Sequence, residues 1–161
     1  MLDRLPSGVS VFVDANIFLY HLLGARPACR EFFLRIQRRD LRGVTSTVVL
    51  GEVLHQLMLS EVGERHATTS GGALRLLRRR PELISTLTKS FNALHEITTW
   101  GLRILPVRGG DLPMALECCQ RFHLLTNDAL IVATMRAHRL IHLASNDRDF
   151  LRVPGLTLWR P

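Results

Sequence analysis

The sequence predicts an α/β fold, a mainly parallel central sheet with helices on both faces, formed by one domain spanning residues 1–161. Three observations predict it. Short continuous apolar runs such as "GVSVFV" and "LIHLAS" have the length and composition of strands covered on both sides. Longer segments of helical periodicity separate these runs. The length of 161 residues suffices to bury one real core and is short for two.

Residues 8–13, "GVSVFV", form the first strand, and "NIFLY" begins a helix beyond it. "PACREFFLRIQRRD" spaces Phe32, Phe33 and Ile36 as a helix does and opens on a proline suited to a first turn. "RGVTST" is the second strand. It leads into "TVVLGEVLHQLMLSEVG", whose apolar residues cover most of the helical wheel, with Gly63 placed to end the helix. "ERHATTSGG" reads as a loop or a frayed helix, and "ALRLLRRR" as helix up to Pro81. "PELISTLTKSFNALHEITTWG" resumes the helical period, so residues 64–100 resemble a helical hairpin. "LRILPV" is the third strand, with Pro106 near its end. A loop and helix in "GGDLPMALECCQRFH" and a helix in "TNDALIVATMRAHR" precede the fourth strand, "LIHLAS". The short turn "NDRDF" and the last strand, "GLTLW", complete the chain.

Composition narrows the function. Hydrophobic residues make up 47% of the chain, yet no run approaches the roughly 18 apolar residues of a membrane span. The N-terminal segment has no convincing signal sequence, so a cytoplasmic location without membrane attachment is expected. Cys29, Cys118 and Cys119 lack the spacing of a disulfide framework or a zinc knuckle. The net charge is +7 and Lys89 is the only lysine. Arginine forks match phosphate geometry, which points to a polyanionic partner. The clusters Arg35, Arg38, Arg39 and Arg75, Arg78, Arg79, Arg80 are read as solvated outer faces of helices.

Ligands of an open α/β sheet gather beyond the carboxyl ends of its strands. There this sequence places acids: Asp14 after the first strand, Glu52 in the helix beyond the second, Asp128 at the start of the "ALIVATM" helix, and Asp147 and Asp149 after the fourth strand. Singly, Asp14, Asp128 and Asp147 suit helix caps or first turns. Glu52, among Val48, Val49 and Leu59 on the wheel, points inward and needs a partner, either an arginine or a shared cation. Convergent carboxylates repel one another unless a divalent ion sits among them. All-oxygen ligands favour Mg²⁺ or Mn²⁺ over zinc, and such clusters serve metal-dependent nucleases.

With "VFVDANIFLY", "TSTVVLGEVLH", "LLTNDALIVATMRAHRLIHLAS" and "SNDRDF" in this order, the chain resembles the PIN-domain ribonucleases, and among them the VapC-type toxins of bacterial and archaeal toxin–antitoxin pairs. The resemblance implies a PIN-like three-layer α/β/α architecture. It makes Asp14, Glu52, Asp128 and Asp147 the catalytic, metal-holding quartet and Asp149 a fifth acid of the site. Asn16, Ser46 and Ser145 match supporting polar positions, Ser145 standing where many members have threonine. Asn16 is read either as orienting Asp14 or as bonding its own backbone, and Arg148 either as a local counter-ion or as an RNA contact. The implied reaction is hydrolysis of an RNA phosphodiester with one or two Mg²⁺ or Mn²⁺ ions, leaving 5′-phosphate and 3′-hydroxyl ends. The implied partners are RNA, a VapB-type antitoxin and a second copy of the chain; the apolar residues of the helices in 27–60 are read either as surface for such contacts or as ordinary core packing.

Two other functions compete: a housekeeping PIN nuclease of RNA processing or decay, and a non-catalytic RNA-binding protein. Zinc binding by His138 and His142, or by Cys118, Cys119 and His123, is disfavoured because the first pair straddles a helix end and a strand. Neither a nucleophile elbow nor a G-x-x-x-x-G-K-[ST] loop is present.

Overall fold

The computed structural model describes residues 1–161. Five strands, β1 (Ser10–Val13), β2 (Arg42–Ser46), β3 (Arg103–Leu105), β4 (His142–Ala144) and β5 (Thr157–Trp159), form one sheet in the order β3-β2-β1-β4-β5. Every pairing is parallel, so the mainly parallel sheet expected from the apolar runs is parallel throughout. Val11, Phe12 and Val13 are all buried, because helices cover both faces of the central strand.

Seven helices connect the strands: α1 (Ala15–Leu22), α2 (Pro27–Gln37), α3 (Thr47–His66), α4 (Ser70–Arg79), α5 (Thr88–Thr99), α6 (Leu112–Phe122) and α7 (Thr126–Ala137). The chain steps from β1 outward through β2 to β3, then crosses back to β4 on the other side of β1. Right-handed crossovers therefore put α1 to α5 on one face and α6 and α7 on the other. The contacts of α1 with α2 and α3, and of α6 with α7, follow this division. Reversal of the strand order between β1 and β4 opens a crevice at their carboxyl ends.

The helical arm of residues 47–100 departs from the sequence reading. Gly63 does not end α3, which runs to His66 and stops at Ala67, a residue with left-handed φ of 48°. Most of "ERHATTSGG" is helical: it holds the last turn of α3 and the first of α4. Between them, Thr69 accepts a hydrogen bond from the Gly72 amide and caps α4. A Cβ on Gly72 would lie 2.0 Å from the Thr68 hydroxyl, so only glycine fits that turn. The Thr-Thr-Ser-Gly-Gly stretch is thus a cap and a close approach. Residues 81–86 form a 3₁₀ turn, not α-helix, before α5 begins. Leu59, Val62, Ala73, Leu77 and Leu87 make a small core of their own under this arm.

Glu61, which the sequence reading passed over, anchors the arm. It is 3% exposed, and its carboxylate accepts hydrogen bonds from the Ser90 hydroxyl (2.6 Å) and the Ser90 amide (2.9 Å) at the start of α5. Arg65 pairs with it one turn along α3. Burial penalises its charge, but the Ser90 and Lys89 hydrogen bonds and the Arg65 charge prevail and hold its pKa below the usual glutamate value.

Two surface expectations change. Of the apolar residues of 27–60, Phe32, Phe33, Ile36, Val49 and Val53 are in the core and Leu34, Val48, Leu54 and Met58 are half-buried, while the large exposed apolar side chains lie elsewhere, with Leu112, Leu116 and Leu125 among them. Arg35 is not solvated: it pairs with Asp40 at 2.6 Å and donates to the Leu5 carbonyl. Arg75, Arg78 and Arg79 are exposed, as the helical wheel suggests.

Replacing Glu61 by alanine should cost about 2–3 kcal/mol and lower Tm by several degrees, since it strands Arg65 and uncaps α5. Because the folded pKa is depressed, this stabilisation is complete above the ordinary value of 4.5 and is lost as pH falls beneath it. Urea melts of wild type and Glu61→Gln at pH 7 and in acid check both points: the difference between the two should shrink in acid.

Candidate active site

Asp14 follows the last residue of β1 and is the N-cap of α1. It is 6% exposed, and each carboxylate oxygen is already engaged. Oδ1 accepts the Ala15 amide at 2.7 Å; Oδ2 accepts the Ser145 hydroxyl at 2.6 Å and the Asn16 amide at 2.5 Å. The capping role and the site role therefore coexist in one side chain. Asn16 orients Asp14 and also reaches Ser145 (3.1 Å), so of its two readings the structure selects the first.

Ser145, just beyond β4, is buried and is the junction of the crevice. Its oxygen donates to Asp14 and accepts the Asp147 amide at 3.0 Å. Asp147 in turn accepts the Asp149 amide at 2.8 Å, which turns the chain into the "DFLR" 3₁₀ turn. Asp149 is salt-bridged at 2.7 Å to Arg152, which also donates to the His123 carbonyl. Arg152, not Arg148, is the local counter-ion.

Glu52 on α3 is half-buried and accepts a hydrogen bond from Asn127 at 3.3 Å. Asp128, the next residue, lies in the first turn of α7. Ser46 faces differently from the acids' network: its hydroxyl accepts the Val49 amide at 3.3 Å and caps α3. Ser46 thus places Glu52 by starting its helix.

Electrostatics bind these residues into one site. Burial pushes the Asp14 pKa up to about 6 against the hydrogen bonds of Ser145 and Ala15, and Glu52 and Asp147 push it further. Burial also raises Asp128 to about 6, with Asp14, Asp147, Glu52 and Asp149 all adding to the rise. The charges that act most strongly on Asp128 are all carboxylates. As the side chains stand, no three of the acids close on a single point at ligating distance. Like charges favour a spread arrangement where no cation lies among them. The donor set is all oxygen and suits a hard divalent ion.

Asn127, Asn146, Tyr20 and Arg160 also belong to the crevice and were not read from the sequence. The Asn146 amide donates to Asn16 Oδ1 at 3.0 Å, and its side chain joins Tyr20 to Arg160. Adjacency of Asn127 to Asp128, and of Asn146 to Asp147, was their only signal.

The family model for the PIN domain matches residues 11–156, which includes all of these acids. The chain belongs to the PIN-domain family. PIN-domain nucleases depend on divalent metal ions. Among curated proteins, this PIN domain is 26% identical to Ribonuclease VapC2 of Methanocaldococcus jannaschii over 148 residues, which is 92% of this chain and 91% of that protein. Over a shorter stretch of 52 residues it is 42% identical to Ribonuclease VapC6 of the same organism, covering 32% of this chain and 34% of that one. The fold is shared with VapBC2 of Rickettsia felis, solved with a promoter DNA fragment (TM-score 0.64, 17% identity, 94% of this chain and 98% of that one). It is also shared with VapC20 of Mycobacterium tuberculosis, a sarcin–ricin loop cleaving toxin (TM-score 0.57, 18% identity, 88% and 92%).

A carboxylate whose folded pKa exceeds its unfolded one binds more protons when folded. Stability contributed by Asp14 and Asp128 therefore falls as pH rises from 3.8 to about 6 and stays low above that. In EDTA at neutral pH, Asp14→Asn should accordingly melt higher than wild type, by about 1–2 kcal/mol after allowing for its altered hydrogen bonds. At acid pH the gain should disappear. A calorimetric Tm series in pH measures it.

Proposed function

We propose that this PIN domain is an Mg²⁺- or Mn²⁺-dependent endoribonuclease and the toxin of a VapBC-type pair. One observation carries the reading: the carboxyls of buried Asp14 and half-buried Asp128 are both pushed up to about 6, and Glu52 and Asp147, with Asp149 for Asp128, add to the rise. A non-catalytic scaffold gains nothing from that repulsion. The full-length relative is named a ribonuclease, which supports RNA as substrate.

Asp14, Glu52, Asp128 and Asp147 would hold one or two ions, with Asp149 shared between the site and Arg152. Bound ions supply Lewis-acid stabilisation of charge on a phosphoryl group. The chain's own residues do the rest. Ser145 and Asn16 fix the Asp14 carboxylate in one orientation, and the Asn127 amide steadies Glu52. Burial of Asp14 keeps water from competing for its oxygens, and both raised carboxyls are still largely ionised at neutral pH, the form that would hold a cation. Cleavage leaves 5′-phosphate and 3′-hydroxyl ends.

Similarity to solved VapBC complexes of Rickettsia felis and Salmonella typhimurium supports an antitoxin partner. The exposed Leu112 and Leu116, one turn apart on α6, suit a contact between two copies of the chain. The cytoplasm, where RNA substrate resides, is the site of action.

Pooled cellular RNA, incubated with protein freed of any co-purifying antitoxin, tests the reading. Wild type should cut with Mg²⁺ or Mn²⁺ and not with EDTA, and Asp14→Asn should lose roughly 100-fold or more in rate. Absence of cutting by wild type under every metal condition would leave RNA binding as the function.

A further inference from the structure

The largest cavity of the molecule is not the acidic crevice. It has a volume of about 740 Å³ and opens at the opposite edge of the sheet. Ser10, Arg42 and Arg103, the first residues of β1, β2 and β3, line it. The acids lie beyond the other ends of the strands. Ser10 and Asp14 stand four residue steps apart along β1, a span of roughly 13 Å.

Three arginines, Arg39, Arg42 and Arg103, face this cavity, and no acidic residue does. None of the three takes part in any of the seven ion pairs of the chain. The nearest carboxylate in sequence, Asp40, is held by Arg35 at 2.6 Å. Arginines gathered around a concavity with no carboxylate among them focus a positive potential, and their forked donors match phosphate oxygens. Packing builds the wall. Gly43 lies so close to Leu102 and Ile36 that a Cβ there would meet them at 2.7 and 2.9 Å, and Trp100, 5% exposed, backs the pocket from the core. The volume lies within the range of small-ligand sites, enough for a nucleotide-sized group.

We propose that this arginine-lined cavity is a second, phosphate-binding site, filled by the backbone of a structured RNA or by a free nucleotide. Its RNA form rests on the ribonuclease reading, and its free-nucleotide form does not. In the RNA form, one edge of the sheet grips the substrate by its phosphates while the other edge cuts it. Affinity then depends on salt more than catalysis does.

The test is binding in EDTA, where cleavage is silent. Fluorescence anisotropy of a labelled RNA hairpin is followed through a KCl series, with ATP and inorganic pyrophosphate as competitors. The protein is wild type, Arg39→Gln/Arg42→Gln/Arg103→Gln, or Arg4→Gln/Arg30→Gln/Arg139→Gln, a control with the same change of charge outside the cavity. The cavity variant should bind RNA about tenfold more weakly, and its slope of log affinity against log salt should fall by about 2. The control should change by less than about twofold. ATP displacing RNA, or binding alone to wild type and not to the cavity variant, assigns the site to free nucleotides as well. Equal losses in both triple variants, no loss in the cavity variant, or no binding of either phosphate source by wild type would overturn the proposal. Arg42→Gln and Arg103→Gln singly, both at exposed strand starts, keep the comparison readable if the triple variant unfolds. Cleavage by the cavity variant at saturating RNA should match wild type, which separates failure of this site from failure of the nuclease.

Discussion

The hydrogen bond from the Ser145 hydroxyl to the Asp14 carboxylate, 2.6 Å long, ties β1 to β4 at the place where the strand order reverses. Helices cannot cover that point from above, because the crossovers leave it on opposite faces. A buried carboxylate therefore sits at the floor of an open crevice. Asn16 and Asp147 bond to this carboxylate and hydroxyl, and Asn146 bonds to Asn16, so the β1 and β4 side of the acidic edge is arranged around one contact. Its cost is electrostatic. Two carboxyls raised to about 6, by burial first and by neighbouring acids after it, are destabilising at neutral pH in the absence of a cation, and the fold must supply that energy from its core.

The core does so by dividing labour. One large apolar cluster joins the sheet to helices on both faces, while the arm of α3, α4 and α5 has a small cluster of its own. The arm is joined through Glu61, a second buried carboxylate with the opposite fate. Ser90, Lys89 and Arg65 satisfy it, so its pKa moves down where those of Asp14 and Asp128 move up. Glu61 and Asp14, both buried carboxylates, differ in their partners and not in their depth: an arginine stands beside the first and acids beside the second.

Charge is also segregated along the strands. Acids gather past the carboxyl ends, and unpaired arginines gather at the amino ends of β1, β2 and β3. A net charge of +7 is therefore not a uniform coat. Parallel strands make this possible, since every strand presents the same end to the same edge.

The order of elements, the parallel sheet and the acids at its carboxyl edge were legible in the sequence, because strand ends and apolar runs are local patterns. Asp14, Asp128 and Asp147 could be placed from their position after a run or at a helix start. The partners of those acids could not. Ser145 lies 131 residues from Asp14, and Asn127 lies 75 from Glu52, so their hydrogen bonds exist only once β4 and α7 dock. Helix ends were misread at Gly63 because Ala67 takes the left-handed turn while the chain beyond the helix bonds back to the Gly63 carbonyl, which no residue preference reveals. Arg35 looked solvated for the same reason, and Arg42 and Arg103 looked like ordinary strand flanks. Sequence determined which residues are acidic, basic or apolar and in what order; only tertiary structure decided which charges are paired and which face one another without a partner, because pairing depends on distances between segments that local pattern does not encode.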